Sequence, residues 1–229
     1  WGWTPKDEGF NKGIKFAQKA LSINNDIAEA HATLGGIVTW YEWNWAYAEK
    51  ELKLAISLNS NNATIHQYYS ELLNVLGKRE EAREQINLAL ELNPHSVIMN
   101  KVNSFIYYNN SDYQEAIEAY NTTLDLADGN HIIIWDSRLS IIRCYIHLNK
   151  KEEAFESIKK FISLDTSPGD LQFLDNIYKE SGIEGVAHWF VNWLLESKTN
   201  KITIAKFYGS IGDSQNTLKY LESAFKDGL

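Results

Sequence analysis

The chain has 229 residues and a formal net charge of −8, from 22 Lys and Arg against 30 Asp and Glu. This acidic balance argues against direct binding of nucleic acid, because phosphate recognition needs a basic surface, and against an anionic membrane surface. The single cysteine, Cys144, excludes an intrachain disulfide and is expected to be a small core residue rather than a nucleophile. Because no apolar run approaches the roughly 18 residues that span a bilayer, membrane insertion is not expected.

The predicted elements are short amphipathic helices in pairs, and the pairs repeat. A small residue of the second helix recurs at steps of 35, 34, 34, 38, 33 and 30 residues, namely at Gly13, Ala48, Ala82, Ala116, Ala154, Ala187 and Thr217. A period near 34 with a helix–turn–helix unit is the signature of tetratricopeptide repeats. The sequence therefore predicts an all-α protein, a right-handed α-solenoid (α–α superhelix) of tetratricopeptide repeats.

In chain order, residues 1–27 form an aromatic lead-in and a half repeat, whose helix spans residues 6–23. The repeats that follow are 28–62, 63–96, 97–134, 135–167, 168–197 and 198–229, the last two degenerate, and together they form one array. Gly35 is expected to let its paired helix approach closely, and one extra residue in this first full repeat accounts for the step of 35. Gly77, Asn149 and Gly182 are predicted to form the turns between paired helices.

Three segments of the sequence resemble a more specific family than the repeat class as a whole. Trp43–Glu49, followed by Ala63–Tyr69, and the opening Trp1–Trp3 resemble the C-terminal repeat region of bacterial multidomain signalling proteins. In that family the repeats follow an adenylate cyclase domain or a winged-helix DNA-binding domain. The resemblance implies a regulatory or assembly region of a larger protein, and the start at Trp1 without Met suggests an excised fragment.

The aromatic run Trp40–Trp45 has two interpretations, a binding hot spot or packing of the turn between two helices. We expect the packing role, because tryptophans around a tight turn cover a large apolar area. His31 and His66 occupy the same place in consecutive repeats and are expected to be core residues, since a metal site would need further ligands nearby. No nucleotide-binding or hydrolase motif is present, so we expect no enzyme activity and no cofactor.

The concave face of such an array is lined by the first helix of each repeat, and it is the predicted site for a protein or peptide partner. The candidate residues are Gln67, Glu71, Asn74, Lys101, Phe105, Tyr108, Arg143 and Lys206. With Phe105 and Arg143 exposed, this face would suit a peptide that carries an apolar side chain and an acidic group. Ala32 and Gly36 stand where a chaperone-binding carboxylate clamp would have Lys and Asn, which argues against a chaperone adaptor.

Two alternatives remain open at this stage. One is a small-ligand sensor with a pocket lined by Tyr107, Tyr108 and Arg143, and the other is a homo-oligomer that pairs through an exposed end. The expected location is the cytoplasm, or the periplasm if a transmembrane segment precedes residue 1.

Overall fold

The computed structural model describes residues 6–163 and 168–227, with side chains from residue 8 and from residue 171 of these two stretches. The lead-in predicted at residues 1–5 and the repeat end predicted at residue 167 lie outside the described residues. Twelve α-helices, one π-helical turn and no strand occur in the described stretches. The predicted all-α repeat fold is therefore confirmed.

The contacts between residues divide the chain into two compact units, Trp1–Asp128 and Gly129–Leu229. The first unit holds α1 (Lys6–Ile23), α2 (Ala28–Ile37), the π-helical turn (Val38–Glu42), α3 (Trp45–Leu58), α4 (Ala63–Val75), α5 (Arg79–Leu92), α6 (Val97–Asn109) and α7 (Tyr113–Leu126). Helices α2 and α3, α4 and α5, and α6 and α7 pack as antiparallel pairs. The first helices of these pairs, α2, α4 and α6, also contact one another in sequence order, and we call their shared surface the α2–α4–α6 face.

The second unit holds α8 (His131–His147), α9 (Lys151–Ile162), α10 (Pro168–Glu196), α11 (Lys201–Ser210) and α12 (Ser214–Lys226). The backbone of Gly182 leaves the helical region within α10, with φ 62° and ψ −162°, so this element is two helices joined at the predicted turn. Helix α8 begins before the repeat start predicted at residue 135, and it has 17 residues against 13 in α4 and in α6.

Small residues at the contacts between paired helices allow these helices to pack closely in the core of the first unit. A Cβ atom on Gly35 would come within 2.5 Å of Cγ of Leu52, so only glycine allows α2 and α3 to approach as they do. This confirms the close approach predicted for Gly35. Ala48 and Ala82 are fully buried at equivalent positions of α3 and α5.

A residue with positive φ marks the turn between the two helices of every pair. Successive turn residues are Trp43 (55°), Gly77 (73°), Ser111 (66°), Asn149 (54°), Gly182 (62°) and Gly212 (78°). The left-handed conformation suits glycine, because it has no Cβ atom, and is tolerated by asparagine, because its short polar side chain can form local hydrogen bonds. The predicted turns at Gly77, Asn149 and Gly182 are confirmed.

His31 and His66 are buried, as expected. Each one forms a hydrogen bond between the first helix of its pair and the loop before that helix. In three consecutive repeats a side-chain nitrogen contacts a carbonyl oxygen six residues earlier. The contacts are His31 Nε2 to Asn25 O at 2.8 Å, His66 Nε2 to Ser60 O at 2.8 Å, and Asn100 Nδ2 to Pro94 O at 2.9 Å. The other ring nitrogen of His31 lies 2.6 Å from a carboxylate oxygen of Glu51. These contacts satisfy buried polar groups, which gives the histidines a structural role.

Candidate functional site

The first pair of helices differs from its neighbours by the π-helical turn at the end of α2. Twelve residues lead from His31 to Trp43, against eleven from His66 to Gly77, so the extra residue predicted for this repeat falls in α2 and its continuation. The hydroxyl of Thr39, which is buried in this turn, donates to the carbonyl oxygen of Gly35 over 2.8 Å. Single π-helical turns inside α-helices occur frequently at functional sites.

The segment that follows carries a cluster of aromatic side chains, and we call residues 40–47 the aromatic turn. Tyr41 packs inward, with its ring centroid 5.2 Å from that of Phe10 on α1. The other aromatic residues are partly exposed, namely Trp40 (46%), Trp43 (64%), Trp45 (41%) and Tyr47 (38%). The packing expected of this run is therefore seen at Tyr41 and is only partial at the three tryptophans.

Trp43 adopts the left-handed conformation that glycine, serine or asparagine adopts at the equivalent turns. For a bulky residue this conformation costs roughly 1–2 kcal/mol. The indole nitrogen of Trp43 donates to the carbonyl oxygen of Trp40 over 3.2 Å, which holds its ring over the turn. A strained and exposed tryptophan is poorly explained by stability alone, and such outliers concentrate at binding sites.

Glu71 links the aromatic turn to the α2–α4–α6 face. The indole nitrogen of Trp40 donates to Oε2 of Glu71 over 2.6 Å, and the amide of Gln67 donates to Oε1 over 2.9 Å. Although Glu71 as a residue is half-buried, desolvation of its carboxyl group raises its pKa, and the two hydrogen bonds offset part of that effect. The structure therefore holds a poorly hydrated carboxylate beside an exposed indole.

Tyr68 lies next to the Glu71 carboxylate on α4. Its ring lies against the backbone of Gly36, where an added Cβ atom would come within 3.0 Å of Cδ2 of the ring. Burial and the neighbouring Glu71 both raise the pKa of the Tyr68 hydroxyl. Gly36 thus lets an aromatic side chain of α4 pack flat on α2.

The other residues predicted for the groove of the first unit lie on α4 and α6. Gln67 is buried, and Asn74, Lys101, Phe105 and Tyr108 are half-buried. The ring of Tyr108 stands edge-on to that of Tyr113, at a centroid distance of 5.6 Å. The structure brings Gln67 and Glu71 into direct contact, and the predicted role of the others in binding stays a prediction.

Arg143 requires a correction, because it was expected to be exposed and is only 5% exposed. Its Nη2 donates to the hydroxyl of Ser140 over 2.7 Å, and its guanidinium lies 6.0 Å from the ring centroid of Phe207 on α11. The four extra residues of α8 lie at its start, before residue 135, so the register carried over from α6 holds at Arg143. Arg143 is buried because helix α11, which carries Phe207, packs on α8. Lys206 is an exposed residue of α11, also in the second unit.

Within the described residues no group of three His, Cys, Asp or Glu side chains could hold a metal ion, and no helix is both long and apolar enough to cross a membrane. A cleft in the second unit, beside Tyr145, Lys150 and Ile183, has a volume of about 180 Å³. Pockets for small ligands usually measure about 300–1,000 Å³, so this cleft does not support the small-ligand alternative.

Comparisons with solved structures agree with this fold. A tetratricopeptide repeat protein from Parabacteroides merdae superposes with a TM-score of 0.63 at 15% identity, over 97% of this chain and 89% of that chain. YrrB, a protein of the same repeat class with an unusual peptide-binding site, gives 0.54 at 13% identity over 92% and 91%. MamA gives 0.56 at 20% identity over 69% and 83%. No protein-family profile and no curated protein sequence matches the chain.

At these identities the similarity establishes the fold, which is that of tetratricopeptide repeats. Tyr68 was missed as a functional candidate, and Trp40 was considered only within the aromatic run and not as a residue of the groove. For Trp40 a signal existed, because it stands 34 residues before Asn74 and 68 before Tyr108, in the same position of successive repeats.

Proposed function

We propose that the chain is a non-catalytic protein-interaction module, which binds a peptide segment of a partner at the aromatic turn and the adjoining α2–α4–α6 face. The observation that carries the proposal is the exposure of Trp40, Trp43, Trp45 and Tyr47 within eight residues. Tryptophan and tyrosine dominate the energetics of protein interfaces, and clustered exposed apolar surface marks interaction sites.

Two further observations support this assignment. The left-handed Trp43 keeps a strained conformation where glycine would relieve it, which is expected if the indole is needed for contact. The fold is shared with YrrB, a protein that has an unusual peptide-binding site, and we extend peptide binding to this chain by analogy.

Selection of random peptides displayed on phage, followed by fluorescence anisotropy with the selected peptides, tests the proposal. We expect Trp43→Ala to weaken binding by about tenfold or more, the equivalent of about 1.4 kcal/mol. The matched control is Phe225→Ala, which removes an equally exposed aromatic side chain from α12 and should leave the affinity unchanged. Failure to select any peptide, or equal binding by Trp43→Ala, would contradict the proposal.

We also propose a molecular context, which rests on the sequence motifs Trp43–Glu49 and Ala63–Tyr69. The module would be the regulatory or assembly region of a larger bacterial signalling protein, with a cyclase or winged-helix domain as its output. Sequencing the complete gene tests this context. A reading frame that encodes neither domain would overturn it without affecting the binding proposal.

One observation favours homo-oligomerisation as a second candidate function. Helix α12 exposes an apolar stripe at helical spacing, formed by Leu218, Leu221 and Phe225. Light scattering coupled to size-exclusion chromatography distinguishes the two candidates. A dimer that dissociates in the Leu221→Glu variant would support pairing through α12, whereas a monomer at all concentrations would exclude it.

A further inference from the structure

The Glu71 carboxylate is held in place but is not neutralised. Its two oxygen atoms each accept one hydrogen bond, from the Trp40 indole at 2.6 Å and from the Gln67 amide at 2.9 Å. Both donors are neutral groups, and each carboxylate oxygen keeps further acceptor capacity. The carboxylate therefore has a fixed orientation and unused capacity to accept a further hydrogen bond.

Among the described residues, no lysine, arginine or histidine nitrogen lies within ion-pair distance of Glu71. Glu49 on α3 shows the contrast, because Lys53 and Lys78 bind its Oε1 at 2.9 and 3.1 Å. The pKa of Glu49 is lowered by these partners, whereas burial raises the pKa of Glu71. A desolvated carboxylate without a counter-charge gains more than an exposed one from an incoming cation.

Aromatic side chains surround this carboxylate. Trp40 as a residue is 46% exposed, and the ring of the half-buried Tyr68 packs on Gly36. The faces of tryptophan and tyrosine attract cations, and arginine is found on them more often than lysine. The net charge of −8 adds a longer-range attraction for a basic segment.

We infer that the segment bound at the aromatic turn carries an arginine, whose guanidinium pairs with Glu71 and lies against the Trp40 ring. A guanidinium fits better than an ammonium, because its planar fork can approach both carboxylate oxygens and stack on an indole. This inference rests on the proposed function and replaces the acidic partner group expected when Arg143 was thought to be exposed. It names the chemistry that a partner must present at Glu71.

Two model peptides test the inference without any selected partner. Isotopically labelled protein is titrated with acetyl-Gly-Leu-Arg-Leu-Gly-amide and with the same peptide containing citrulline, a neutral group of nearly identical shape. The Trp40 indole resonance, assigned by its loss in Trp40→Phe, reports on the site because that N–H group contacts Glu71. We expect the arginine peptide to shift it with a dissociation constant at least about tenfold lower than that of the citrulline peptide.

Two glutamate variants test whether the preference for the arginine peptide depends on Glu71. Glu71→Gln should remove the preference for arginine, whereas Glu84→Gln, which changes an exposed carboxylate on α5, should retain it. If Glu71→Gln disturbs the fold, Trp40→Phe keeps an aromatic ring and should reduce the preference by releasing the carboxylate. Because this variant lacks the indole reporter, its titrations are followed at the backbone amide of Glu71. Equal binding of the two peptides, or a preference that survives in Glu71→Gln, would overturn the inference. Equal but measurable binding would leave the proposed function standing.

Discussion

The indole nitrogen of Trp40 donates to Oε2 of Glu71 over 2.6 Å, across 31 positions of sequence. The bond connects the π-helical turn after α2 to α4 of the next pair, so the aromatic turn and the carboxylate form one surface. A hydrogen bond to an ionised carboxylate is about twice as strong as one between neutral groups. Substitutions in the aromatic turn that remove this bond are therefore expected to change the orientation of the Glu71 carboxylate.

Glu71 should make stability depend on pH in an unusual direction. Because burial raises its pKa above the ordinary value of 4.5, the folded state binds the proton more tightly than the unfolded state does. Its contribution to stability is present below the unfolded pKa and is lost as the pH rises through the folded pKa. Glu71→Gln, which is neutral at every pH, should therefore become more stable relative to the wild type as the pH rises.

Urea denaturation of both proteins between about pH 4 and pH 8 measures this difference. Glu84→Gln serves as the control, because its carboxylate is exposed on α5 and its difference from the wild type should not follow the same trend. A constant difference for Glu71→Gln across the range would contradict the burial of this carboxylate.

Trp43→Gly should stabilise the fold while weakening peptide binding. Glycine adopts the left-handed conformation without steric cost, although it adds entropy to the unfolded chain, so the net gain should be about 0.5–1 kcal/mol. The control is Ser111→Gly, which makes the same backbone change at the equivalent turn two repeats later. Both variants should show a higher denaturation midpoint, and only Trp43→Gly should lose affinity. A destabilised Trp43→Gly would show that the indole serves mainly to pack the turn.

Arg143→Glu should strongly destabilise the second unit. The substitution places a carboxylate where a buried guanidinium now bonds to Ser140 and lies near Phe207, and burying a charge in a new environment costs several kcal/mol. Phe105→Ala, at a half-buried position, should have the smaller effect on the melting temperature. Circular dichroism melts of the two variants measure this contrast, and similar melting temperatures would contradict the buried position of Arg143.

Cys144 should be unreactive in the native protein. Burial raises the pKa of its thiol to about 12, so very little thiolate exists near neutral pH, and the thiolate is the reactive form. Ellman's reagent at about pH 8 should label the chain only after denaturant is added. Rapid labelling in native buffer would place Cys144 at an accessible position instead of in the core of α8.

The repeat period revealed the fold because each pair of helices needs a small residue where the helices cross and a turn that accepts positive φ. Gly35 and Ala82 are the small residues where helices cross, and Gly77 is the turn residue with positive φ. All three are recognisable from the sequence alone. The same reasoning failed at Arg143, because the repeat register gives the place of a residue on its own helix and does not reveal which helix packs over it, here α11. It also could not locate the partner of Trp40, which depends on how the π-helical turn directs the indole towards α4.

The central claim is that a partner binds to the aromatic turn and the α2–α4–α6 face, and amide hydrogen exchange with a phage-selected peptide tests it most directly. Exchange reports local opening and protection along the whole chain, so it does not presuppose the site. The account predicts that the peptide slows exchange in residues 36–47 and in α4 around Glu71, with α12 unchanged. Protection confined to α12, or to other helices of the second unit, would contradict it.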